Sequence, residues 1–270
     1  MKHIHIAGCG PRTGTTLLAE MMIACFNIDR HSEHEESIYT QPYPAGTVFL
    51  TKRPRDVLVA EGLLRRNENL YVVYMLRDPR DMITSKHHND PERYWVGLGY
   101  WKLYASAGCR LEGHPRFILV RYEDLVARPD AIQAGLIRRM PFLKARAPFS
   151  RYHELAAPSQ AARDALRGVR PVSSASVGSW RRHLPRVAGQ IIMHGSVAQD
   201  LIRYGYEPDD HWLLDLKGIT PDLSESHWPE YPARTALLRR IRGGPIRSSR
   251  RSVASMARRF TEAMKKLVPS

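Results

Sequence analysis

The stretch HIHIAGCGPRTGTTLLAE at residues 3–20 decides the fold. Its short β-branched run at 4–7 predicts a strand, the glycines at 8–14 predict a turn, and residues 15–25 are apolar and favour a helix. A strand, a glycine-rich turn and a helix N-terminus in this order form an anion site, because backbone N–H groups converge there and the helix dipole adds about half a positive charge. We therefore expect the loop at 8–16 to bind a phosphate group.

This loop lacks the lysine of a nucleotide-hydrolysing loop. A Walker A loop needs Gly-x4-Gly-Lys-Ser/Thr, but here Cys9 stands at the first glycine and Thr15 at the lysine. The lysine normally reaches the β- and γ-phosphates, so its loss disfavours hydrolysis of ATP or GTP. Arg12 supplies a cation earlier in the loop instead.

The rest of the body alternates strands and helices. Apolar runs at 47–51, 70–76 and 117–120 predict strands, residues 56–66 and 94–111 have helical spacing, and the chain is mostly helical from there to about 206. Such alternation with long crossovers predicts an α/β fold with a parallel sheet covered by helices on both faces. Ligands of such sheets bind at the carboxyl ends of the strands.

One of these carboxyl ends carries a second group of polar residues. Arg77 follows the buried run 70–76, and Ser85 lies eight residues later, about two turns into the next helix, with Asp78 as its N-cap. An arginine fork and a hydroxyl at these places suit one phosphate. An ion pair of Arg77 with Asp78 or Asp81 is the alternative.

These two segments together resemble the sulfotransferases that use 3′-phosphoadenosine 5′-phosphosulfate (PAPS). PRTGTTL at 11–17 is similar to the family's 5′-phosphosulfate loop, and RDPRD at 77–81 with Ser85 is similar to its 3′-phosphate motif. VRYEDL at 120–125 resembles the segment whose tyrosine lies by the adenine, and SASVGSWR at 174–181 resembles the late Ser-x-Gly-x-Trp element that closes over the cofactor. The resemblance implies a P-loop-like fold and assigns cofactor binding to Pro11, Arg12, Thr13, Gly14, Thr15, Thr16, Arg77, Ser85, Tyr122, Ser176, Gly178 and Trp180.

A further segment resembles the tyrosylprotein type of this family. In FLTKRP at 49–54, Lys52 matches the lysine that sits over the transferring sulfuryl group. No histidine stands where many cytosolic members have their base, so the resemblance implies a glutamate in DRHSEHEE at 29–36. Glu33 fits best by position, and Glu35, Glu36 and His34 lie within one alignment slip.

The implied reaction moves a sulfuryl group from PAPS to an acceptor hydroxyl or amine and leaves 3′,5′-ADP. Arg12 and Lys52 stabilise the developing charge, and a glutamate takes the acceptor's proton. No metal is expected, because a sulfate ester carries one charge fewer than a phosphate monoester and no Walker B acid follows a strand. The alternatives are a P-loop nucleotide or small-molecule kinase, and a non-enzymatic scaffold. The acceptor's class is left open.

Most of the net charge lies near the C-terminus. The 270 residues carry 41 Lys and Arg against 27 Asp and Glu, a net +14, whereas residues 233–270 alone hold eleven basic residues and one acid, a net +10. We expect a sulfotransferase domain at 1–215, a linker at 216–232 and a basic helical tail at 233–270. Apolar residues at helical spacing within 250–268 predict binding to an anionic membrane surface, with docking on the body or homodimerisation as alternatives.

Composition limits the remaining partners and the location. No interleaved aromatic platform or nucleic-acid motif is present, so we expect no nucleic acid to bind. Three cysteines form no disulfide framework, and neither a signal peptide nor an apolar run of about 18 residues is found. These features predict a cytoplasmic protein whose basic tail can bind the inner membrane surface.

Overall fold

The computed structural model describes residues 1–40, 46–86, 90–228 and 230. Two compact units divide the chain, one formed by Met1–Arg77 with Trp101–Val177 and the other by Asp78–Tyr100 with Gly178–Ser270. The predicted tail at 233–270, including its membrane-binding helix at 250–268, lies outside the described residues. Among the described residues, no helix is long and apolar enough to cross a membrane.

The first unit contains a five-stranded, fully parallel sheet in the order β2-β3-β1-β4-β5. Its strands are β1 (Lys2–Gly8), β2 (Arg30–His31), β3 (Val48–Lys52), β4 (Leu70–Leu76) and β5 (Phe117–Arg121). The α/β prediction is confirmed, and the four strands read from the sequence are present. The two-residue β2 was not predicted, because so short a strand has no apolar period of its own.

The α-helices connect and flank these strands. They are α1 (Thr15–Cys25), α2 (Val57–Arg66), α3 (Pro79–Ile83), α4 (Leu98–Cys109), α5 (Tyr122–Ala127), α6 (Pro129–Arg139), α7 (Tyr152–Leu155), α8 (Gln160–Leu166), α9 (Leu184–His194) and α10 (Ala198–Arg203). Short 3₁₀ helices occupy Pro54–Asp56, Phe149–Arg151, Ser179–His183 and His211–Leu216.

Helix α4 begins later than the helix predicted at 94–111. Tyr94 forms an antiparallel bridge with Lys86, and the N–H of Trp95 donates to the carbonyl of Ser85 at 2.9 Å. These contacts hold the segment extended, so α4 begins only at Leu98. Aromatic residues have weak helix propensity, and here pairing with residues eight to ten positions earlier takes its place.

The register of the sheet brings three strand ends to one edge. β1 lies between β3 and β4, with Ile6 opposite Lys52 and Gly8 opposite Met75. The chain turns from one side of β1 to the other between β3 and β4, which is the switch point where doubly wound sheets bind their ligands. The segments that follow β1, β3 and β4 therefore carry the candidate site.

A buried polar contact joins β1 to β3. His3 Nε2 and His5 Nδ1 each lie 2.7 Å from the Thr51 hydroxyl. One hydroxyl donates to one ring nitrogen and accepts from the other, so two neutral imidazoles satisfy it. Burial lowers the pKa of His3 to about 4 and, with a smaller contribution from the neighbouring His3 charge, lowers the pKa of His5 to about 3. Both rings are therefore neutral at physiological pH.

In the second unit, α9 presents a buried polar face. Arg186, Gln190 and His194 recur every four residues, and all three contact the carboxylate of Glu230 at distances between 2.9 and 3.5 Å. These bonds hold the pKa of Glu230 at about 2, against the opposing effect of its burial. The end of the segment predicted as a linker at 216–232 is thus packed along α9.

Candidate functional site

The loop between β1 and α1 has the backbone conformation that a phosphate loop requires. Gly14 has φ +86° and precedes α1, and a Cβ at this position would lie 2.5 Å from the ring of Tyr122. Thr13 is fully buried, and its hydroxyl donates to the carbonyl of Gly10 at 2.9 Å. Glycine is the residue that tolerates both the positive φ and the close ring. The loop is thereby held against the start of α1, whose first N–H groups have no acceptor within the helix.

Arg12 is the cation of this loop and itself has a positive φ of 64°. Burial, together with the charges of Arg167 and Arg77, lowers the pKa of Arg12 to about 10. A group with this pKa still carries its charge at neutral pH. The loop therefore holds a concentration of positive charge that favours an anionic ligand.

Arg167 was not found from the sequence. It is the exposed residue that ends α8, with φ 56°, and its charge acts on Arg12. The left-handed conformation before Gly168 is a helix C-terminus signal, but no local pattern connects residue 167 with residue 12.

Arg77 extends from the end of β4 and binds main-chain groups on both sides. Its Nη1 donates to the carbonyl of Arg12 at 2.8 Å, and its Nη2 donates to the carbonyl of Ser176 at 3.2 Å. Its Cζ lies 4.3 Å from the ring centre of Tyr122. Within the described part of the chain, the buried Nε has no hydrogen-bond partner. The guanidinium is thus fixed in place while its buried Nε–H is still unused.

Tyr122 and Ser176 complete this cluster. Tyr122 directly follows β5, which pairs with β4, so the tyrosine lies beside Arg77. Its hydroxyl is 2.9 Å from the hydroxyl of Ser176. The first unit therefore brings together the loop, Arg77, Tyr122 and Ser176, which the sequence assigned to one cofactor.

Lys52 lies at the carboxyl end of β3 and is 3 % exposed. Its Nζ donates to the hydroxyl of Thr16 on α1 at 2.9 Å. Burial lowers the pKa of Lys52, and the negative charges of Glu35 and then Glu20 partly oppose this. The lysine is consequently attached to the phosphate loop and gives up its proton more readily than a surface lysine does.

A small pocket lies beside this lysine. Polar side chains form most of its wall, which consists of Thr16, Ala19, Glu20, Ser32, Glu33, His34, Lys52 and Ala162. The wall joins residues from α1, β3, α8 and the segment after β2. Because two carboxylates, an imidazole and an ammonium meet there, the pocket can bind and deprotonate a polar group.

The acidic segment reaches this pocket because it runs along β3. The N–H of Ser32 donates to the carbonyl of Leu50 at 3.0 Å, and that of Glu36 donates to the carbonyl of Lys52 at 2.9 Å. Glu33 is exposed at the rim of the pocket, and its own carbonyl accepts from Ser159 at 2.6 Å. Glu35 is also exposed, and its charge acts on Lys52. The structure thus brings this segment to the lysine.

Glu20 is a pocket residue that the sequence analysis missed. It lies on α1 one turn after Thr16 and is 6 % exposed. Burial raises the pKa of Glu20, while the charges of His31 and Lys52 oppose the rise. In the sequence, Glu20 stands out only as the single carboxylate of an otherwise uncharged helix. It is spaced four residues from Thr16 and therefore lies on the same face.

The second unit holds the remaining predicted residues. The Asp81 carboxylate accepts hydrogen bonds from the N–H of Gly178 at 2.7 Å, the hydroxyl of Ser179 at 3.0 Å and the N–H of Trp180 at 2.9 Å. Gly178 has φ +72°, which suits glycine at the start of the 3₁₀ helix. The aspartate of the RDPRD motif therefore fixes the late Ser-x-Gly-x-Trp element. Ser85 is half-buried and lies two residues past the end of α3, so the prediction that it sits about two turns into that helix is wrong.

Arg80 is the second partner of that element. Its Cζ lies 4.0 Å from the ring centre of Trp180 and 4.6 Å from that of Trp212. Its guanidinium also pairs with Asp78 at 2.7 Å and Glu207 at 2.6 Å. Trp180 is 1 % exposed, so its indole is part of the interior of this unit.

Cys9 packs beside the loop and takes no chemical part in the site. Cys9 is fully buried, and burial raises the pKa of its thiol to about 12, so the thiol stays protonated and packs as a small apolar group. No group of three or more His, Cys, Asp or Glu side chains suited to a metal ion occurs in the described ranges.

In comparisons with known proteins, only solved structures resemble this chain. No protein-family model matches the chain, and no curated protein matches it. A sulfotransferase domain from the Synechococcus olefin synthase is 13% identical with a TM-score of 0.41, over 67% of this chain and 86% of that one. One from the curacin biosynthetic pathway is 13% identical with a TM-score of 0.44, over 67% and 90%.

A third similar structure is a retinol dehydratase in complex with androsterone and the inactive cofactor PAP. It is 12% identical with a TM-score of 0.37, over 84% of each chain. Two of these three structures are sulfotransferase domains. The likeness at these scores is distant, and the function proposed below follows from the residues of the chain itself.

Proposed function

We propose that this protein is a sulfotransferase that uses PAPS as its donor. The observation that carries the proposal is the position of Arg77, which binds residues 65 positions before it and 99 positions after it in the chain. These partners belong to the two cofactor segments that the resemblance matched independently. A chance glycine turn gives no reason for Arg77, Tyr122 and Ser176 to converge on the loop.

The site suits a nucleotide with several phosphate-like groups. Arg12, Arg77 and Arg167 supply positive charge, and the buried Nε of Arg77 is a donor without a partner in the described structure. Unpaired buried donors are costly, and an anionic ligand relieves that cost. The ring of Tyr122 offers an aromatic surface for a base. The residues present therefore fit the donor.

Each site residue keeps the role that the family resemblance assigns to it. The loop residues Pro11, Arg12, Thr13, Gly14, Thr15 and Thr16 would hold the 5′-phosphosulfate. Arg77 with Ser85 would hold the 3′-phosphate, and Tyr122 would lie by the adenine. Ser176, Gly178 and Trp180 keep the roles that the resemblance implies for the late element.

When bound, PAPS supplies an activated sulfuryl group. Arg12 and Lys52 then stabilise negative charge on the leaving and transferring oxygens, which is the main work in this kind of transfer. Because its pKa is lowered, Lys52 is the better proton donor of the two. Arg12 stays charged and acts only through its field.

The acceptor binds in the pocket beside Lys52. Its hydroxyl or amine must lose a proton, and the carboxylates of this pocket are the available bases. The segment with Glu33, Glu35 and Glu36 supplies the bases that the sequence predicted. No metal role is assigned, and the acceptor's chemical class stays open.

Binding of 3′,5′-ADP tests this function. We expect 3′,5′-ADP to raise the melting temperature, and Arg77→Ala to remove most of the rise by weakening binding about 10- to 100-fold, the worth of one or two charged hydrogen bonds. Arg65→Ala is the matched control, because that arginine is an exposed residue of α2. No shift at millimolar 3′,5′-ADP would sink the proposal, and stabilisation by magnesium-ATP instead would support the kinase alternative.

A further inference from the structure

Glu20 occupies an unusual place for a carboxylate. It is the only charged residue of α1, it is buried, and it lines the pocket together with Thr16 and Lys52. Thr16 and Glu20 are one helical turn apart, and the hydroxyl of Thr16 receives the hydrogen bond of Lys52 at 2.9 Å. The carboxylate therefore stands on the pocket wall that carries the lysine.

This carboxylate has no structural duty in the described part of the chain. No described residue donates a hydrogen bond to it, whereas the buried Asp56, Asp78 and Asp81 each accept at least one. The oxygens of Glu20 are not sealed inside the protein, and a carboxylate that borders a cavity without a described hydrogen-bond donor is a candidate for function. Glu20 meets both conditions.

The predicted bases differ from Glu20 in their surroundings. Glu33 and Glu35 are exposed, and Glu36 is held to the end of β3 through its backbone. Water solvates an exposed carboxylate and weakens its attraction for a proton relative to a buried one. Burial raises the pKa of Glu20. A general base becomes more effective as its pKa approaches the working pH, provided that it remains ionised.

We propose that Glu20 is the general base of the transfer, a role that rests on the function proposed above. Glu20 takes the proton of the acceptor hydroxyl while the acceptor oxygen forms its bond to sulfur. The bond from sulfur to the bridging phosphate oxygen breaks, and its electron pair stays on the phosphate of 3′,5′-ADP. Solvent then receives the proton from Glu20 and restores the carboxylate.

Charged and titratable groups act on Glu20 or share its pocket, and they set the pH range in which it works. They are Lys52 from β3, His31 from β2, Tyr152 from α7, and Glu33 and His34 from the segment that follows β2. The charge of Glu35 acts on Lys52 in turn. Lys52 and His31 favour the ionised form of Glu20. The lysine thus keeps the base ionised while it stabilises charge on the sulfuryl oxygens.

Two reactions that differ in their need for a base provide the test. The first is transfer from radiolabelled PAPS to glycerol or water, in which a proton must be removed from a neutral hydroxyl. The second is the reverse transfer from p-nitrophenyl sulfate to 3′,5′-ADP at mildly alkaline pH, in which p-nitrophenolate leaves as a stable anion. We expect Glu20→Gln to slow the first reaction by about 10²- to 10⁴-fold and to leave the second within about threefold.

The controls separate a base from a structural residue. Glu154→Gln removes an exposed carboxylate on α7 and should change neither reaction. Equal loss of both reactions in Glu20→Gln would mean that the residue only shapes the pocket, and a selective loss in Glu33→Gln with none in Glu20→Gln would assign the base to Glu33. Either outcome overturns the proposal. Wild-type protein that binds 3′,5′-ADP but catalyses neither reaction overturns it too, whereas a failure to bind 3′,5′-ADP refutes the proposed function itself.

A measurement without donor or acceptor covers the case in which the variant does not fold. Carbon-13 NMR of the glutamate carboxyl groups in wild-type protein should show one group, absent from Glu20→Asp, that titrates above the usual glutamate range. Lys52→Met should raise the midpoint further, because the neighbouring positive charge is lost. A Glu20 midpoint at or below the ordinary glutamate value contradicts the proposal.

Discussion

The contact of His3 and His5 with Thr51 predicts that the protein loses stability below neutral pH. Burial depresses the pKa of both imidazoles in the folded chain, to about 4 and about 3, against 6.5 in the unfolded chain. The unfolded chain therefore binds more protons below pH 6.5. The stability from these neutral rings is complete above pH 6.5 and is lost progressively as the pH falls toward the folded-state pKa values.

The size of the loss follows from the unfolded chain alone. At about pH 5.5 an unfolded histidine is protonated in a ratio of about ten to one, which costs about 1.4 kcal/mol for each ring that must stay neutral. Two rings give about 3 kcal/mol between about pH 7.5 and pH 5.5. This value does not depend on the exact folded-state pKa of each histidine, provided that this pKa is well below 5.5. Burial of 94 % or more of each residue's surface implies that it is.

Urea unfolding at the two pH values measures the loss. We expect the double variant His3→Gln with His5→Gln to lose about 3 kcal/mol of the pH dependence of the wild type, because glutamine bonds to Thr51 without titrating. His211→Gln is the control, since that side chain is 79% exposed. The same pH dependence in wild type and double variant would refute the reasoning. If the variant does not fold, NMR titration of the two imidazoles in the wild type gives the answer, and titration of either ring near pH 6.5 refutes it equally.

Three other changes have defined outcomes. Gly14→Ala places a methyl group against Tyr122 at a positive φ, so it should weaken 3′,5′-ADP binding at least about tenfold by calorimetry, and unchanged binding would contradict the loop conformation. Asp81→Asn replaces one acceptor oxygen facing Gly178 and Trp180 by a donor, so urea unfolding should show a loss of about 1–3 kcal/mol. A loss below about 0.5 kcal/mol would mean that Asp81 does not secure this element. Removal of residues 233–270 should leave the 3′,5′-ADP shift intact and abolish sedimentation with phosphatidylglycerol vesicles, and a lost shift would show that the tail belongs to the cofactor site.

Local patterns were enough to predict the elements that surround the candidate site. The strand, glycines and helix start of 3–20 specify one another within a few residues, and Arg77 is recognisable because it ends a continuous apolar run. Lys52 was predicted from the resemblance of the segment 49–54, and it lies at the end of β3. These positions depend on the sheet alone, and a parallel sheet brings its strand ends together whatever the side chains between them are.

Features that depend on distant contacts were not predictable in the same way. Glu20 resembles any polar residue on a helix until α1 is packed beside the segment after β2. Arg167 acts on Arg12 only after α8 is in place, and the late start of α4 depends on pairing with Ser85 and Lys86. In each case the deciding partner belongs to another segment, and the local pattern of residues does not show which segments the fold brings together.

The way in which Arg77 is held has a consequence for changes in the loop. Its two bonds go to main-chain carbonyls, those of Arg12 and Ser176, and neither depends on which side chain is present there. Replacing Arg12 by lysine or Ser176 by alanine leaves both acceptors where they are. The side chains of this loop can therefore change by mutation, in nature or in directed evolution toward another donor, while Arg77 keeps its position.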